Sequence, residues 1–211
     1  MLQVGFNRRF SPAALAAKSF FMGRMEPLLI NYRVNAGFIP KTHWVSDPKI
    51  GGGRIIGEVC HFIDLMIYLT GSVPVRVFAE AISPKTENVV AQDNLSITLK
   101  FADGSVGTIG YFSNGDKALP KERVEIFGEG KVFIIDDFKN YESIETGNKR
   151  VKKNFQQDKG QTNEVKAFLT AIKTGKFAIP FEDIIFTTKT TFKILDSLNS
   201  GNVENIEISK G

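Results

Sequence analysis

The stretch that decides the fold is GGGRIIGEVCHFIDLMIYLT, residues 51–70. Three successive glycines lead into a segment in which apolar residues occupy most positions of a helix. A helix that is apolar nearly all round is buried, and a glycine such as Gly71 commonly ends one. We therefore predict a buried helix over residues 54–69.

Polar residues interrupt this helix at spacings of three and four, which places them on one side of it. They are Glu58, His61, Asp64 and Tyr68, and Gly57 lies on the same side of the helix. Because buried polar groups need partners, the stripe should face a polar neighbour or a cleft. Histidine has an ordinary pKa near 6.5, which suits proton transfer, and Glu58 or Asp64 could orient the ring. The alternative, which spacing alone favours, is a core histidine satisfied by Asp64 or by a backbone carbonyl.

The rest of the chain predicts a sheet with helices at both ends. Residues 93–101 alternate strictly between apolar and polar side chains, as in a half-covered strand, and Asp103-Gly104 indicates a hairpin turn. Ser11-Pro12 is typical of a helix start, and Thr162 could cap a later helix. Strands are expected at residues 3–6, 27–34, 75–82, 93–101, 105–112, 123–127, 132–136, 141–145, 150–155 and 203–208, and further helices at 12–24, 162–173 and 181–199. This order predicts a two-layer α+β fold, with a large, mostly antiparallel, open-faced sheet and helices on one face.

Composition excludes several classes of protein. Of 211 residues, 42% are hydrophobic and 24% are charged, which argues against disorder. The single Cys60 argues against a disulfide scaffold, and no apolar run approaches the ~20 residues that span a bilayer. We therefore expect a cytoplasmic protein. One cysteine and two histidines are too few for a zinc site, so no metal is expected.

The net charge of +4 is modest, and basic residues cluster only at residues 149–153. A solvated loop or edge strand explains that cluster better than a phosphate contact, so neither nucleic acid nor membrane is an expected partner. No dinucleotide fingerprint, P-loop or nucleophile elbow occurs in the sequence. The three glycines alone are a weak signal for ligand binding.

The stretch at residues 51–65 resembles the substrate-domain signature of the Gfo/Idh/MocA oxidoreductases: three glycines, a buried helix, an Asp, a His four residues later and an Asp three beyond that. Similar matches occur at residues 4–12, 32–35, 43–47, 181–183 and 197–201, so the resemblance spans nearly the whole chain. It implies the sheet described above, with the open face packed against a second subunit in a homodimer or tetramer. Ser96, Thr98, Thr108 and Tyr111 are candidates for that interface.

The resemblance also implies a sugar or polyol substrate and an NAD(P)-dependent reaction. His61 would then be the general acid–base, assisted by Glu58 and Asp64. The substrate side of the cleft would be lined by Arg33, Asn35, Lys41, His43 and Trp44. Trp44 could stack on a sugar ring or serve as a buried anchor. Asn7 and Arg8 would approach the cofactor from the hinge.

Two departures from the family pattern matter. The family's Rossmann domain is lacking, so residues 1–10 are interpreted as the end of a hinge and residues 11–211 as the substrate-binding and oligomerisation domain, a truncated fragment inactive alone. NAD or NADP is expected in the full-length enzyme and not on this fragment. Gly57 stands where the family has Asp. A non-catalytic ligand-binding module or a purely structural dimerisation domain is therefore the alternative, and whether the chain is itself an enzyme stays open.

Overall fold

The computed structural model describes residues 2–40, 42–46, 50–86 and 89–208. Its strands are β1 (Leu29–Asn35), β2 (Pro74–Ala81), β3 (Asn94–Phe101), β4 (Val106–Phe112), β5 (Glu122–Gly128), β6 (Lys131–Asp136), β7 (Asn140–Glu145), β8 (Asn148–Lys153) and β9 (Glu204–Asn205). Its α-helices are α1 (Pro12–Phe20), α2 (Cys60–Thr70), α3 (Gln161–Thr174) and α4 (Phe181–Ser200). A π-helical turn at Ile55–Val59 leads into α2, and 3-10 turns lie at Asn7–Phe10, Trp44–Ser46 and Ala91–Asp93.

The strands form one sheet in the order β8-β7-β6-β5-β1-β4-β3-β2-β9. Only the central β1–β4 pair is parallel among the described strands, and the other neighbours are antiparallel. The predicted fold class, a mostly antiparallel open sheet with helices, is confirmed.

Side-chain alternation divides the sheet into a covered face and an open face. In β3, Leu95, Ile97 and Leu99 are buried, whereas Ser96 and Thr98 are exposed. Helices α1, α2 and α4 cover the buried face, with α4 against β2 and α1 against β6 and β7. The predicted polar open face is therefore present at Ser96 and Thr98.

Helix α3 differs from the expectation that it covers the sheet. It packs mainly on the Asn7–Phe10 turn, and its apolar stripe is exposed. Val165, Leu169 and Ile172 keep 57%, 53% and 55% of their surface, and Ala171 is the buried residue of the described helix. Sequence periodicity identified the helix but not what its stripe contacts.

The start of α1 is as predicted, because the Ser11 side chain accepts a hydrogen bond from Ala14 N at 3.1 Å and Pro12 opens the helix. The start of α3 is not. Its cap is Gly160 rather than Thr162, at φ +91°, and a Cβ there would lie 2.4 Å from the Asn7 carbonyl oxygen. A glycine is required by this close approach as well as by the positive φ.

The predicted strand at residues 3–6 is wrong. Phe6 N bonds to Val4 O at 2.8 Å, and Asn7 N bonds to Gly5 O at 2.9 Å, so this segment turns on itself. A strand needs a neighbour for its backbone groups, and within the described chain this segment pairs with none.

Strand β8 lies at the sheet edge, and its six residues are all exposed. It holds the whole basic cluster of residues 149–153, so the edge-strand interpretation is confirmed. Lys149 pairs with Glu142 on β7 at 2.6 Å. Within the described ranges, no helix is both long and apolar enough to cross a bilayer.

Candidate functional site

His61 lies on the first turn of α2 and is half-buried. The edge of its ring meets Phe6, with ring centroids 5.8 Å apart. Burial, assisted by the positive charge of Arg8, lowers the pKa of His61 to about 4. The imidazole is therefore neutral at neutral pH and keeps a lone pair that can accept a proton.

The Nδ1 atom of His61 is buried, and the described residues place no hydrogen-bond partner on it. A satisfied core histidine would have such a partner, and so would a catalytic histidine whose tautomer is fixed by an acid or a carbonyl. The structure therefore matches neither of the two expected arrangements around this ring.

Glu58 is the centre of a polar cluster one turn before His61. Its carboxylate accepts a hydrogen bond from Arg54 Nη2 at 3.1 Å and further bonds from the Tyr111 hydroxyl and Lys121 Nζ. Burial opposes ionisation, but the bonds from Lys121 and Tyr111 hold the pKa of Glu58 below its usual value. Burial and the nearby Glu58 charge raise the pKa of Tyr111. Glu58 is thus an ionised carboxylate fixed from three sides.

Asp64, predicted to assist His61, is fully buried and engaged elsewhere. It accepts two bonds from the Arg9 guanidinium, at 2.6 and 2.9 Å, and Arg9 also reaches Asp183 at 3.0 Å. Burial raises the pKa of Asp64 to about 6 despite the Arg9 contact. Asp64 joins α2 to α4 through Arg9, and the structure gives it no bond to the His61 ring.

The predicted substrate-lining residues do not all lie on the side of the sheet that carries His61. Tyr32 and Val34 of β1 face the covered side of the sheet, and Arg33 between them lies with Thr98 and Thr108 on the open face. Because alternate residues of a strand face opposite sides, the expectation that Arg33 lines the His61 cleft is wrong. The same alternation corrects Tyr111, which points to Glu58 and not to the open face.

Asn35 is the last residue of β1. Its side-chain amide binds the β4–β5 connection by donating hydrogen bonds to Asp116 O at 2.7 Å and Leu119 O at 3.0 Å. Trp44 keeps 59% of its surface exposed, which is incompatible with a buried anchor in this chain. The His43 ring lies 5.7 Å from it. Lys41 lies outside the described residues. Substrate contact by Asn35, Lys41, His43 and Trp44 stays a prediction.

The predicted cofactor contacts, Asn7 and Arg8, have buried side chains with internal partners. Asn7 donates to Lys159 O at 2.8 Å, and Arg8 binds Glu122. Arg8 lies close enough to His61 to lower its pKa, but Arg8 and Asn7 already bind protein partners. A role toward a cofactor stays a prediction that rests on position.

Backbone conformation explains two of the glycines before α2, since Gly52 and Gly53 have positive φ values of 68° and 84°, and packing explains Gly51. A Cβ on Gly51 would lie 2.6 Å from the Val45 backbone, and Gly53 N bonds to Val45 O at 3.1 Å. By contrast, a Cβ on Gly57 would meet nothing closer than the Gly51 carbonyl oxygen at 3.9 Å. The family's Asp position therefore has room for a side chain that this sequence lacks.

Sequence reasoning missed Lys121 and Tyr111 as members of the site. They lie 63 and 53 positions from Glu58 along the chain, so no helical or strand period relates them to it. The sequence offered one signal for Lys121, the charged pair Lys121-Glu122 after Pro120 at the start of a strand. Many strands begin in this way, so the signal does not identify a functional residue. The described residues hold no group of three or more acidic, His or Cys side chains placed for a metal ion.

Comparison with known proteins agrees with the fold. The GFO/IDH/MocA C-terminal domain family matches residues 22–133, just over half of the chain. The chain belongs to this family. Among curated GFO/IDH/MocA relatives, inositol 2-dehydrogenase of Rhizobium meliloti is 27% identical over 195 residues, covering 85% of this chain and 57% of that protein. The uncharacterized oxidoreductase YrbE of Bacillus subtilis is 29% identical over 136 residues, covering 60% and 38%. The matched region thus spans little more than half of the inositol 2-dehydrogenase and less than half of YrbE.

Solved GFO/IDH/MocA-like structures share the fold. Levoglucosan dehydrogenase in complex with NADH and levoglucosan superposes with a TM-score of 0.79 at 19% identity, covering 98% of this chain and 66% of that one. A putative myo-inositol dehydrogenase from Sinorhizobium meliloti gives a TM-score of 0.74 at 22% identity, covering 98% and 65%. At these identities the likeness concerns the architecture alone.

Proposed function

We propose that this chain is the substrate-binding domain of an NAD(P)-dependent oxidoreductase that acts on a sugar or polyol. The observation that carries the proposal is the juxtaposition of a neutral histidine, His61, with the ionised Glu58 and the cationic Lys121. Such a set can accept a hydroxyl proton and bind neighbouring oxygens. The activities named for the relatives, inositol and levoglucosan dehydrogenation, are of this class.

In this proposal His61 is the general acid–base. A neutral imidazole can accept the proton of a substrate hydroxyl as that carbon is oxidised, and the imidazolium can return it in the reverse direction. Because the pKa of His61 is about 4, the base form is fully populated at neutral pH, although it is a weak base until substrate charge or contacts raise that pKa. Glu58 lies within electrostatic range of the ring and favours the imidazolium.

The described residues do not suit NAD or NADP. A dinucleotide site uses a glycine fingerprint between a parallel strand and a helix N-terminus, and the sheet here is antiparallel outside β1–β4. We assign the cofactor to another part of the enzyme. This chain supplies the substrate site and the proton chemistry, with residues 1–10 as hinge and 11–211 as the substrate domain, and we place the enzyme in the cytoplasm, which the single free Cys60 supports.

A homodimer through the open face is the second part of the proposal. Five apolar residues from five adjacent strands stand in register across that face: Val106, Leu29, Phe127, Val132 and Ile144. Leu29 and Phe127 keep 58% and 41% of their surface exposed. A two-fold axis through this apolar row would pair it with its own copy, as closed symmetry requires.

A non-catalytic binding module of the same fold is the alternative, and one observation favours it. Gly57 leaves the family's Asp position without a carboxylate, and His61 Nδ1 has no acid that fixes its tautomer within the described chain. Ligand binding would persist in such a module, whereas His61 would contribute nothing to turnover in a full-length enzyme.

An NMR titration of the isotope-labelled chain tests the proposed site. Myo-inositol and levoglucosan are added separately, and the ring signals of His61 are followed. At least one of them should shift these signals to saturation, because the ligand hydroxyls come to lie beside the imidazole. Signals of α3, such as that of Ala171, serve as an internal control and should not move. Unchanged His61 signals with both ligands would contradict the proposal.

A further inference from the structure

We infer that Lys121 and Glu58 together bind two adjacent hydroxyls of a neutral sugar or polyol, and that their pairing excludes acidic sugars. The inference rests on the proposed function and names the substrate class of the same site.

Exposure singles out these two residues within the Glu58 cluster. The Lys121 and Glu58 side chains keep 37% and 22% of their surface. Their neighbours are closed to solvent: Arg54 keeps 2% of its side-chain surface, and Tyr111 is fully buried. A ligand that approaches this cluster from solvent therefore meets the ammonium of Lys121 and the carboxylate of Glu58, while Arg54 and Tyr111 bind the other carboxylate oxygen.

The unused hydrogen-bonding capacity of the pair matches a diol. Glu58 Oε2 accepts from both Arg54 and Tyr111, whereas Oε1 accepts from Lys121 among the described residues. A carboxylate oxygen has two lone pairs and an ammonium has three protons, so one acceptor and two donors stay available. A hydroxyl both donates and accepts, so one hydroxyl can donate to Oε1 while its neighbour accepts from Nζ.

Charge decides between neutral and acidic ligands. The charges of Lys121 and Glu58 cancel each other. The charges of Arg54 and Asp93, which lie 3.7 Å apart, also cancel, so the cluster has no net charge. A ligand carboxylate beside Nζ would lie close to the ionised Glu58 and be repelled by it. Removing the Glu58 charge leaves Lys121 unneutralised, and the same site should then favour an acid.

Glu58 and Lys121 both lie on backbone segments that fix the distance between their side chains. Glu58 belongs to the π-helical turn Ile55–Val59. Such turns are frequent at functional sites. Lys121 directly precedes β5, and its carbonyl accepts a bond from Asn35 N at 2.7 Å. Asn35 therefore anchors the backbone on which Lys121 sits.

The test is an NMR titration of the chain with myo-inositol and with D-glucuronate. In the wild type, myo-inositol should shift the Lys121 ε-methylene and His61 ring signals with one dissociation constant and bind more tightly than glucuronate. Lys121→Met should weaken myo-inositol binding at least about tenfold, because a charge-assisted hydrogen bond is lost. Lys117→Met, an equal loss of charge at an exposed position of the same connection, should leave it unchanged.

Glu58→Gln supplies a readout that a merely structural role would not produce. It should weaken myo-inositol binding and strengthen glucuronate binding, so the preference reverses. Circular dichroism reports whether each variant folds, and if Glu58→Gln does not fold, the Lys121→Met comparison decides alone. Wild-type affinity for myo-inositol in Lys121→Met would overturn the inference, while His61 shifts would still support the proposed function. Absence of His61 shifts in the wild type would overturn both.

Discussion

The guanidinium of Arg8 binds both carboxylate oxygens of Glu122, through Nε at 2.7 Å and Nη2 at 2.9 Å. Glu122 has no exposed surface and also accepts bonds from Lys159 at 2.7 Å and from the Tyr32 hydroxyl. This carboxylate joins the turn before α1, the middle of the sheet and the segment before α3. Although burial opposes it, the bonds from Arg8 lower the pKa of Glu122 to about 2.

Glu122→Gln should therefore destabilise the fold by about 3–5 kcal/mol at neutral pH, because the Arg8 charge loses its buried partner. Chemical unfolding followed by circular dichroism measures the change. Glu142→Gln, which removes the partially exposed partner of Lys149, is the control and should cost less than about 1 kcal/mol. Equal costs for both variants would contradict the structural role of Glu122.

The contribution of Glu122 should also depend on pH. Its pKa is about 2 in the folded chain and 4.5 ordinarily, so the unfolded chain binds more protons between these values. The stabilisation is complete above the ordinary pKa and is lost as pH falls toward 2. The difference in unfolding free energy between wild type and Glu122→Gln should narrow as pH is lowered through this window. A constant difference would contradict the assigned pKa.

Gly57→Asp should fold and raise the pKa of His61 from about 4 toward its ordinary value. The position has room for a Cβ, and a carboxylate four residues before His61 favours the imidazolium. NMR titration of the imidazole protons measures the shift. Gly57→Asn has nearly the same size without the charge and is the control. If both variants gave the same His61 pKa, the carboxylate would not face the ring.

Phe127→Lys should convert a dimer to a monomer in sedimentation experiments. The substitution places a charge in the centre of the apolar row, where it would be desolvated against its copy. Val165→Lys on α3 makes the same kind of change at another exposed apolar residue and should leave the dimer intact. A wild-type chain that sediments only as a monomer at tens of micromolar would contradict the proposed interface.

The chain alone should not bind NAD or NADP with a dissociation constant below about 10 μM, equivalent to roughly 7 kcal/mol. The 211 residues contain no dinucleotide fingerprint, and the cofactor's pyrophosphate normally rests on such a turn. Calorimetry with each cofactor measures the affinity. Tighter binding would show that the cofactor site has been assigned to the wrong part of the enzyme.

In a full-length enzyme that carries this domain, His61→Asn should lower kcat by about 10²–10⁴, the usual contribution of general acid–base catalysis. Thermal unfolding should change little, because Nδ1 makes no hydrogen bond within the described chain. Full turnover would show that His61 is not the general acid–base. Loss of folding would instead assign His61 to the core.

Local sequence patterns predicted the helices and strands whose buried side follows from the repeat of the backbone. The alternation in β3 identified its buried face, and the apolar run after residue 53 identified α2, because both patterns follow from backbone geometry alone. The Ser11 cap was predictable for the same reason, since its hydrogen bond to Ala14 spans three residues. These signals also located His61 and Glu58 on one side of one helix.

Contacts between distant segments were not predictable. The sequence placed Asp64 beside His61, but Arg9, 55 positions away, binds it instead. Lys121 and Tyr111 contact Glu58 only in the folded chain, where β4 and the start of β5 pack against the turn that carries Glu58. The π-helical turn was also missed, because its residues read as ordinary helix formers interrupted by Gly57. Each of these features depends on tertiary packing that a periodic pattern does not encode.

Helix α3 has a dynamic consequence that follows from its exposed stripe. It buries little more than Ala171 and is held chiefly by the Asn7–Phe10 turn, including a bond from Asn163 to Phe10 O at 3.1 Å. Helix α2, by contrast, has eight buried residues in its eleven. Local opening costs least where few apolar groups are shielded from water, so the amide protons of α3 should exchange with solvent deuterium before those of α2, and α3 should detach while the buried Arg8 and Arg9 ion pairs still hold the turn beneath it.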